Sequence, residues 1–288
     1  MNLNFKPYLD LIRFKQPVGT ALLILPCLFE LSLIYKTNAN IESSKFIKYL
    51  ILFALGGFLM RSAGCIINDL FDKNFDIKVA RTKNRPLASH KISVKNSIIF
   101  LLILLFLALL VLLQFNIATI IAGIVALGLV IIYPLTKRLT NFPQVFLGIT
   151  FNFGIILVSF ALTNQINAEA IILYLACIFW TIFYDTIYGF QDIEDDLRIG
   201  LKSTSITFSK NNPKNILWRI STIITLLFMM LGTLEEFDLT YFAIIIFVGI
   251  FMAIKIRYCN LQNPKSCLKL FKQNLYLGLI FLIAILLG

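Results

Sequence analysis

Two runs of acidic residues follow long apolar stretches, and their spacing suits a cation site. The first is Asn68-Asp69-Leu70-Phe71-Asp72-Lys73-Asn74-Phe75-Asp76, and the second runs from Asp185 through Asp192, Glu194 and Asp195 to Asp196. Asp69, Asp72 and Asp76 recur at i, i+3 and i+7, so a helix places them on one face. Asp185, Asp192 and Asp196, spaced i, i+7 and i+11, are predicted to share the face of a second helix. Carboxylates crowded at a membrane edge resist ionisation unless a cation neutralises them. Three on each of two helices offer Mg2+ oxygen ligands and leave positions for water and phosphate. Either cluster alone reads as a solvated helix end. Together they point to a divalent-metal site for a phosphorylated ligand, and so to an enzyme.

Basic residues follow each cluster. Arg81, Lys83 and Arg85 lie between the first cluster and the next apolar run, and Arg198 and Lys202, with Gly200 and Ser203, follow the second. A diphosphate calls for such partners, Arg as a planar fork and Lys as a point charge. Arg61 lies inside an apolar stretch, seven residues before Asn68, and is expected to face the same way as the acids. His90, the one histidine, reads as a loop residue without a catalytic role.

These residues must be carried by membrane helices. Of the 288 residues 59% are hydrophobic and the mean hydropathy is +0.86, which excludes a soluble domain. The net charge of +11 does not indicate nucleic acid, because the basic residues sit in short loops between apolar runs. Nine spans are predicted, near 17–35, 46–68, 96–113, 116–136, 142–162, 168–190, 215–234, 239–258 and 271–288. Ser97 to Tyr133 as one helix would be roughly 55 Å long, against a hydrocarbon core of about 30 Å, so the chain must turn at Gln114-Phe115-Asn116.

The expected fold class is therefore all-α, a polytopic membrane protein of nine transmembrane helices around a central cavity. It forms a single integral-membrane domain over 1–288, with polar loops at about 69–95 and 190–214. Twenty-two of the 26 Lys and Arg residues fall in one set of loops, against Lys36, Lys45 and Lys48 on the other side. The positive-inside rule then predicts a cytoplasmic N-terminus, both acidic clusters in the cytoplasm and the C-terminus outside. The five cysteines have no CxxC pair, and no disulfide framework is expected. Met1 to Lys15 carries charge without an early apolar core, so no cleavable signal is expected.

The motif Asn68-Asp-x-x-Asp-x-x-x-Asp76, followed by Arg81-Thr-x-x-Arg85-Pro-Leu, resembles the first signature of the UbiA membrane prenyltransferases. Tyr184-Asp-Thr-x-Tyr188 with Asp192, Asp195, Asp196, Gly200, Lys202 and Ser203 resembles the second. Arg13-Phe-Lys15-Gln-Pro17-Val-Gly19, Met60-Arg61-Ser-Ala-Gly64-Cys65, Tyr133-Pro134-Leu-Thr-Lys137-Arg138 leading to Pro143-Gln144, and Asn274-x-Tyr276-x-Gly278 are similar to the branch that prenylates 4-hydroxybenzoate. The likeness covers essentially the whole chain. One departure is Ser89-His90, where the family usually has a Gly soon after Arg-Pro-Leu.

The resemblance implies Mg2+ as cofactor, with Asn68, Asp72, Asp76, Asp192 and Asp196 as metal ligands and Asp69 among the catalytic acids. Arg13, Lys15, Arg61, Asn68, Arg81, Arg85, Tyr133, Lys137, Arg138, Asp185, Tyr188, Asp195 and Lys202 are then expected to bind substrates. These would be a polyprenyl diphosphate and 4-hydroxybenzoate, joined in ubiquinone synthesis at a bacterial inner membrane. The acceptor's carboxylate needs a cationic partner in a low-dielectric cavity, and Arg61 and Arg138 are the candidates. Another UbiA branch, acting on a naphthoate, haem or chlorophyll precursor, would share the metal motifs. A cation-coupled transporter is the rival of a different class, but such sites usually lie near the bilayer midplane, and these acids stand at its edge.

Overall fold

A computed structural model describes residues 5–38 and 41–288. Met1 to Asn4 of the charged N-terminal stretch lie outside the described residues. The elements are α1 (Lys6–Leu11), α2 (Val18–Thr37), α3 (Ser43–Asp76), α4 (Val94–Leu112), α5 (Ile117–Leu139), α6 (Pro143–Asn152), α7 (Gly154–Thr163), α8 (Ala168–Gly189), α9 (Ile193–Arg198), α10 (Thr204–Ser209), α11 (Pro213–Leu234), α12 (Leu239–Tyr258) and α13 (Pro264–Leu287). Counting α6 and α7 as one, nine spans are long and apolar enough to cross a bilayer among the described residues, as the sequence predicts.

Local chemistry sets the helix starts. The side chains of Ser93, Asn116, Asn167, Asn212, Asp238 and Asn263 each accept from a backbone N–H in the first turn that follows. Pro143, Pro213 and Pro264 open their helices, where a missing N–H costs nothing.

The packed centre lies among α2, α8, α11 and α13. Phe29, Trp180, Phe228 and Phe281 are fully buried there, with Phe228 stacked on Phe281 at 4.1 Å. Trp180 Nε1 donates to Asn274 Oδ1 at 3.0 Å, which satisfies the indole in this apolar setting. By contrast, α4 and α5 turn Ile99, Ile103, Ile117 and Ile121 outward, as a lipid-facing surface does.

Four boundaries differ from the sequence expectation, each for a physical reason. Helix α3 continues to Asp76 instead of ending near 68, because polar residues end the apolar run without ending the helix. Helix α13 begins at Pro264, not 271, where the Asn263 cap and the proline start it. The fifth span breaks at Phe153: buried Asn152 donates from its side chain to Gly148 O at 2.7 Å and Thr181 Oγ1 at 2.8 Å, competing with the backbone ladder. Finally, α8 stops at Gly189, so Asp185, Asp192 and Asp196 do not share one continuous helix. A Cβ on Gly189 would lie 2.3 Å from Ser205 Oγ, so the bare glycine lets α10 close against the end of α8. Ser205 Oγ donates to Thr186 O at 2.8 Å across that junction.

The turn before α2, the distal ends of α3, α5 and α8, and the start of α6 meet at one end of the bundle. A cavity of 1310 Å³ opens among them and runs inward along α3, α4 and α5.

Candidate active site

The first acidic cluster is buried, and each of its carboxylates meets a basic side chain. Asp69, Asp72 and Asp76 are 0%, 5% and 6% exposed, and all three line the cavity from the distal end of α3. Arg85 Nη1 bridges Asp76 at 2.9 Å and Asp69 at 3.3 Å, so the i, i+7 face predicted by the spacing is gripped by one guanidinium. Arg13 Nη2 reaches Asp69 at 2.5 Å from the turn between α1 and α2. That turn holds Arg13 at φ 60, a left-handed backbone that non-glycine residues rarely adopt, and bonds from its guanidinium to Asp10 O and Leu11 O add to the anchoring. Lys137 Nζ, from α5, lies 3.0 Å from Asp72 and 3.4 Å from Asn68 Oδ1.

The second cluster is shallower and stands on both sides of a helix break. Asp185 lines the cavity from α8, as does Gln144 from the start of α6. Asp192 is the residue before α9, and Asp196 lies within it; both also line the cavity. Acid at the first turn of α9 suits the positive end of the helix. The loop after α3 crosses to this cluster: Arg81 pairs with Asp192 through two nitrogens and donates to Tyr188 Oη at 2.8 Å, while Ala80 N donates to Asp195 Oδ2 at 3.0 Å. A second strap is Lys202 N to Lys137 O at 3.0 Å. Burial pushes the Asp196 carboxyl up to about 6, and the charge of Asp192 adds to this against the pull of Lys137 and Arg81.

Asn68, Lys15, Tyr133, Tyr188 and Lys202 also line the cavity. Two sequence candidates do not. Asp195 ties down the first loop, and Arg138 donates to Phe71 O at 2.7 Å with Asp72 Oδ1 at 3.8 Å. Arg61 does face inward, as its register with Asn68 predicts, with its guanidinium 5.4 Å from the centre of the Phe151 ring. Among the described residues it is the one cavity-lining arginine without a carboxylate partner, and its buried Nε has no acceptor.

The sequence reading missed Gln144 as a site residue. Its side chain lines the cavity while its Oε1 accepts from Thr204 N at 2.9 Å, and its position after Pro143 was the available signal. Phe151 and Lys272, which also line the cavity, carry no sequence signature. His90 adopts φ 56, so the left-handed position where a family Gly is expected is met by a histidine.

Mg2+ is compatible with this donor set. Its members are oxygens, and buried Asp69 Oδ2 and Asp72 Oδ1 have no hydrogen-bond partner. Among the described residues no three acidic, His or Cys side chains close on one point; basic side chains hold the carboxylates instead.

Residues 21–283 match the UbiA prenyltransferase family. The mitochondrial 4-hydroxybenzoate polyprenyltransferase of Drosophila pseudoobscura pseudoobscura is 43% identical over 98% of this chain and 70% of its own length. The 4-hydroxybenzoate octaprenyltransferase of Histophilus somni strain 2336 is 37% identical over 98% of this chain and 96% of its own. Among solved structures, an Aeropyrum pernix K1 UbiA homologue superposes with a TM-score of 0.76 at 19% identity, covering 92% of this chain and 96% of that one. An Archaeoglobus fulgidus UbiA homologue bound to GPP and Mg2+ gives 0.70 at 18% identity, covering 97% and 99%. Signatures, nine-span fold and near full-length match agree: the chain belongs to the UbiA prenyltransferase family.

Proposed function

We propose that this chain transfers a polyprenyl group from polyprenyl diphosphate to the ring of 4-hydroxybenzoate, ortho to the hydroxyl, in ubiquinone biosynthesis. The observation that carries the reading is one cavity with a charged mouth and an apolar arm: Asp72, Asp192, Arg81 and Arg85 stand at one end, and Gly56, Leu109 and Leu127 lie along the other. That division suits an amphiphile with a diphosphate head. Relatives named for this activity at 37–43% identity over nearly the whole chain support the acceptor.

Asn68, Asp72, Asp76, Asp192 and Asp196 would hold Mg2+, which supplies positive charge to the departing diphosphate. Arg13, Lys15, Arg81, Arg85, Lys137 and Lys202 would meet the diphosphate oxygens, with Tyr188 and Asp195 steadying Arg81 and its loop. Asp69, enclosed by Arg13 and Arg85, acts by aiming both arginines. Departure breaks the allylic C–O bond, the ring carbon ortho to the hydroxyl attacks the cation, and loss of that carbon's proton restores aromaticity. Tyr133, Tyr184 and Phe151 line the adjoining space and would keep water from the cation. Asp185 borders the same space. Arg61 is the partner for the acceptor's carboxylate; Arg138, turned to Phe71 O, is not.

The test is product identification by mass in membranes given a prenyl diphosphate, Mg2+ and a panel of acceptors. Arg61→Gln should raise the KM for 4-hydroxybenzoate roughly 10- to 150-fold and leave the donor KM near wild type, and Arg138→Gln should do neither. Unchanged acceptor affinity in Arg61→Gln would remove this carboxylate site.

The membrane is inferred to be a bacterial inner membrane, with the N-terminus and both clusters cytoplasmic and the C-terminus outside. The one-sided Lys and Arg loops support it. A single cysteine in the 73–95 loop of a Cys-free chain should resist an impermeant thiol reagent in intact cells, and one near Glu235 should react. The opposite pattern would invert the topology.

A further inference from the structure

Arg61 owes its position to a missing side chain on the neighbouring helix. Gly19 lies in the first turn of α2, and a Cβ built there would sit 2.8 Å from Arg61 Nη2, 3.3 Å from Nε and 3.4 Å from Cζ. The guanidinium therefore lies close against bare backbone, with the centre of the Phe151 ring 5.4 Å from it. No carboxylate among the described residues forms an ion pair with it, so its position depends on packing of this kind. The first turn of α2 is also the positive end of that helix, and beside an unpaired guanidinium it favours an anion in the space they share.

We propose that Gly19 is a positioning residue for the acceptor, acting through Arg61. The inference rests on the reading above that Arg61 meets the acceptor's carboxylate. Any side chain at 19 drives the guanidinium off the α2 backbone and away from the point where it receives that carboxylate. The obstructed atoms are the far end of a flexible side chain, so the guanidinium yields and the helices need not. Alanine is also the better helix former. Gly19→Ala should therefore leave thermal stability unchanged or raised while it impairs acceptor binding, a combination that a loss of packing would not produce.

The experiment is a double-mutant cycle on purified protein with Mg2+ and a short prenyl diphosphate. Gly19→Ala should raise the KM for 4-hydroxybenzoate roughly tenfold, with kcat and the donor KM within about twofold of wild type. In an Arg61→Gln background the same change should have no further effect, because the group it displaces is gone. With 4-hydroxybenzamide, which lacks the carboxylate charge, Gly19→Ala should match its parent. An unchanged acceptor KM, an equal rise for the donor, or a penalty that persists in Arg61→Gln would overturn the proposal. Wild-type turnover of 4-hydroxybenzoate is the control: its absence overturns the acceptor reading itself, whereas normal turnover with an indifferent Gly19→Ala overturns the positioning alone.

Discussion

The two acidic clusters share a chemistry and differ in how they are held. The first stands on one uninterrupted helix, α3, with each carboxylate buried and met by a cation. The second stands on both sides of the break between α8 and α9, is only partly buried, and is fastened by the first cluster's own loop through Arg81 and Ala80. A buried ion pair on a rigid helix fixes position, whereas acids on a short helix after a turn can adjust. One side reads as the anvil of the site and the other as its movable jaw.

The largest expected effect tests whether both halves are needed. Asp72→Ala and Asp192→Ala should each reduce turnover by at least about 10³-fold, the scale seen when a group that stabilises developing charge is lost. EDTA should mimic both, and added Mg2+ should reverse only the EDTA effect. Full activity in metal-free buffer would overturn the shared metal site.

A smaller effect separates the halves by stability. Asp69→Asn leaves Arg13 without its buried counter-charge and takes one of the two carboxylates from Arg85, and should cost about 3 kcal/mol or more, read as a fall in the melting temperature in detergent. Asp195→Asn, in the shallower half, should cost less than about 1 kcal/mol. Equal losses would remove the distinction between anvil and jaw.

The smallest effect is a pH signature of the second half. Asp196 has a folded-state value of about 6, above the roughly 3.9 of an unfolded aspartate. Between those values the folded state binds more protons, so this group's contribution to stability falls as pH rises from about 4 to about 6 and levels off above that. Asp196→Asn should remove that slope from a series of metal-free melting temperatures. An identical slope in the variant would assign it to another group.

Much of this was legible in the sequence because membrane spans declare themselves by apolar length. The turn at Gln114-Phe115-Asn116 follows from bilayer thickness, and the inward aim of Arg61 follows from its heptad spacing to Asn68. Three things were not legible. Helix α3 outruns its apolar stretch because its polar residues are satisfied by Arg85 and Lys137, partners a hydropathy pattern does not reveal. The break after Gly189 depends on Ser205 arriving from another element. Likewise, the role of Gly19 exists only once α2 and α3 are side by side, since in the sequence it closes the Arg13 to Gly19 motif with nothing to tie it to Arg61.

The length of α3 has a consequence for the donor's own behaviour. Eight residues separate Asn68 from Asp76, about 12 Å of helix carried beyond the end of the apolar run. By apolar length, the charged mouth stands past the hydrocarbon-length part of α3, and the arm runs along the apolar lengths of α4 and α5. A polyprenyl diphosphate resting in the leaflet already has that alignment, head in the interface and tail in the hydrocarbon. Capture then requires only lateral diffusion in the plane of the bilayer, with no excursion of the diphosphate into oil or of the tail into water.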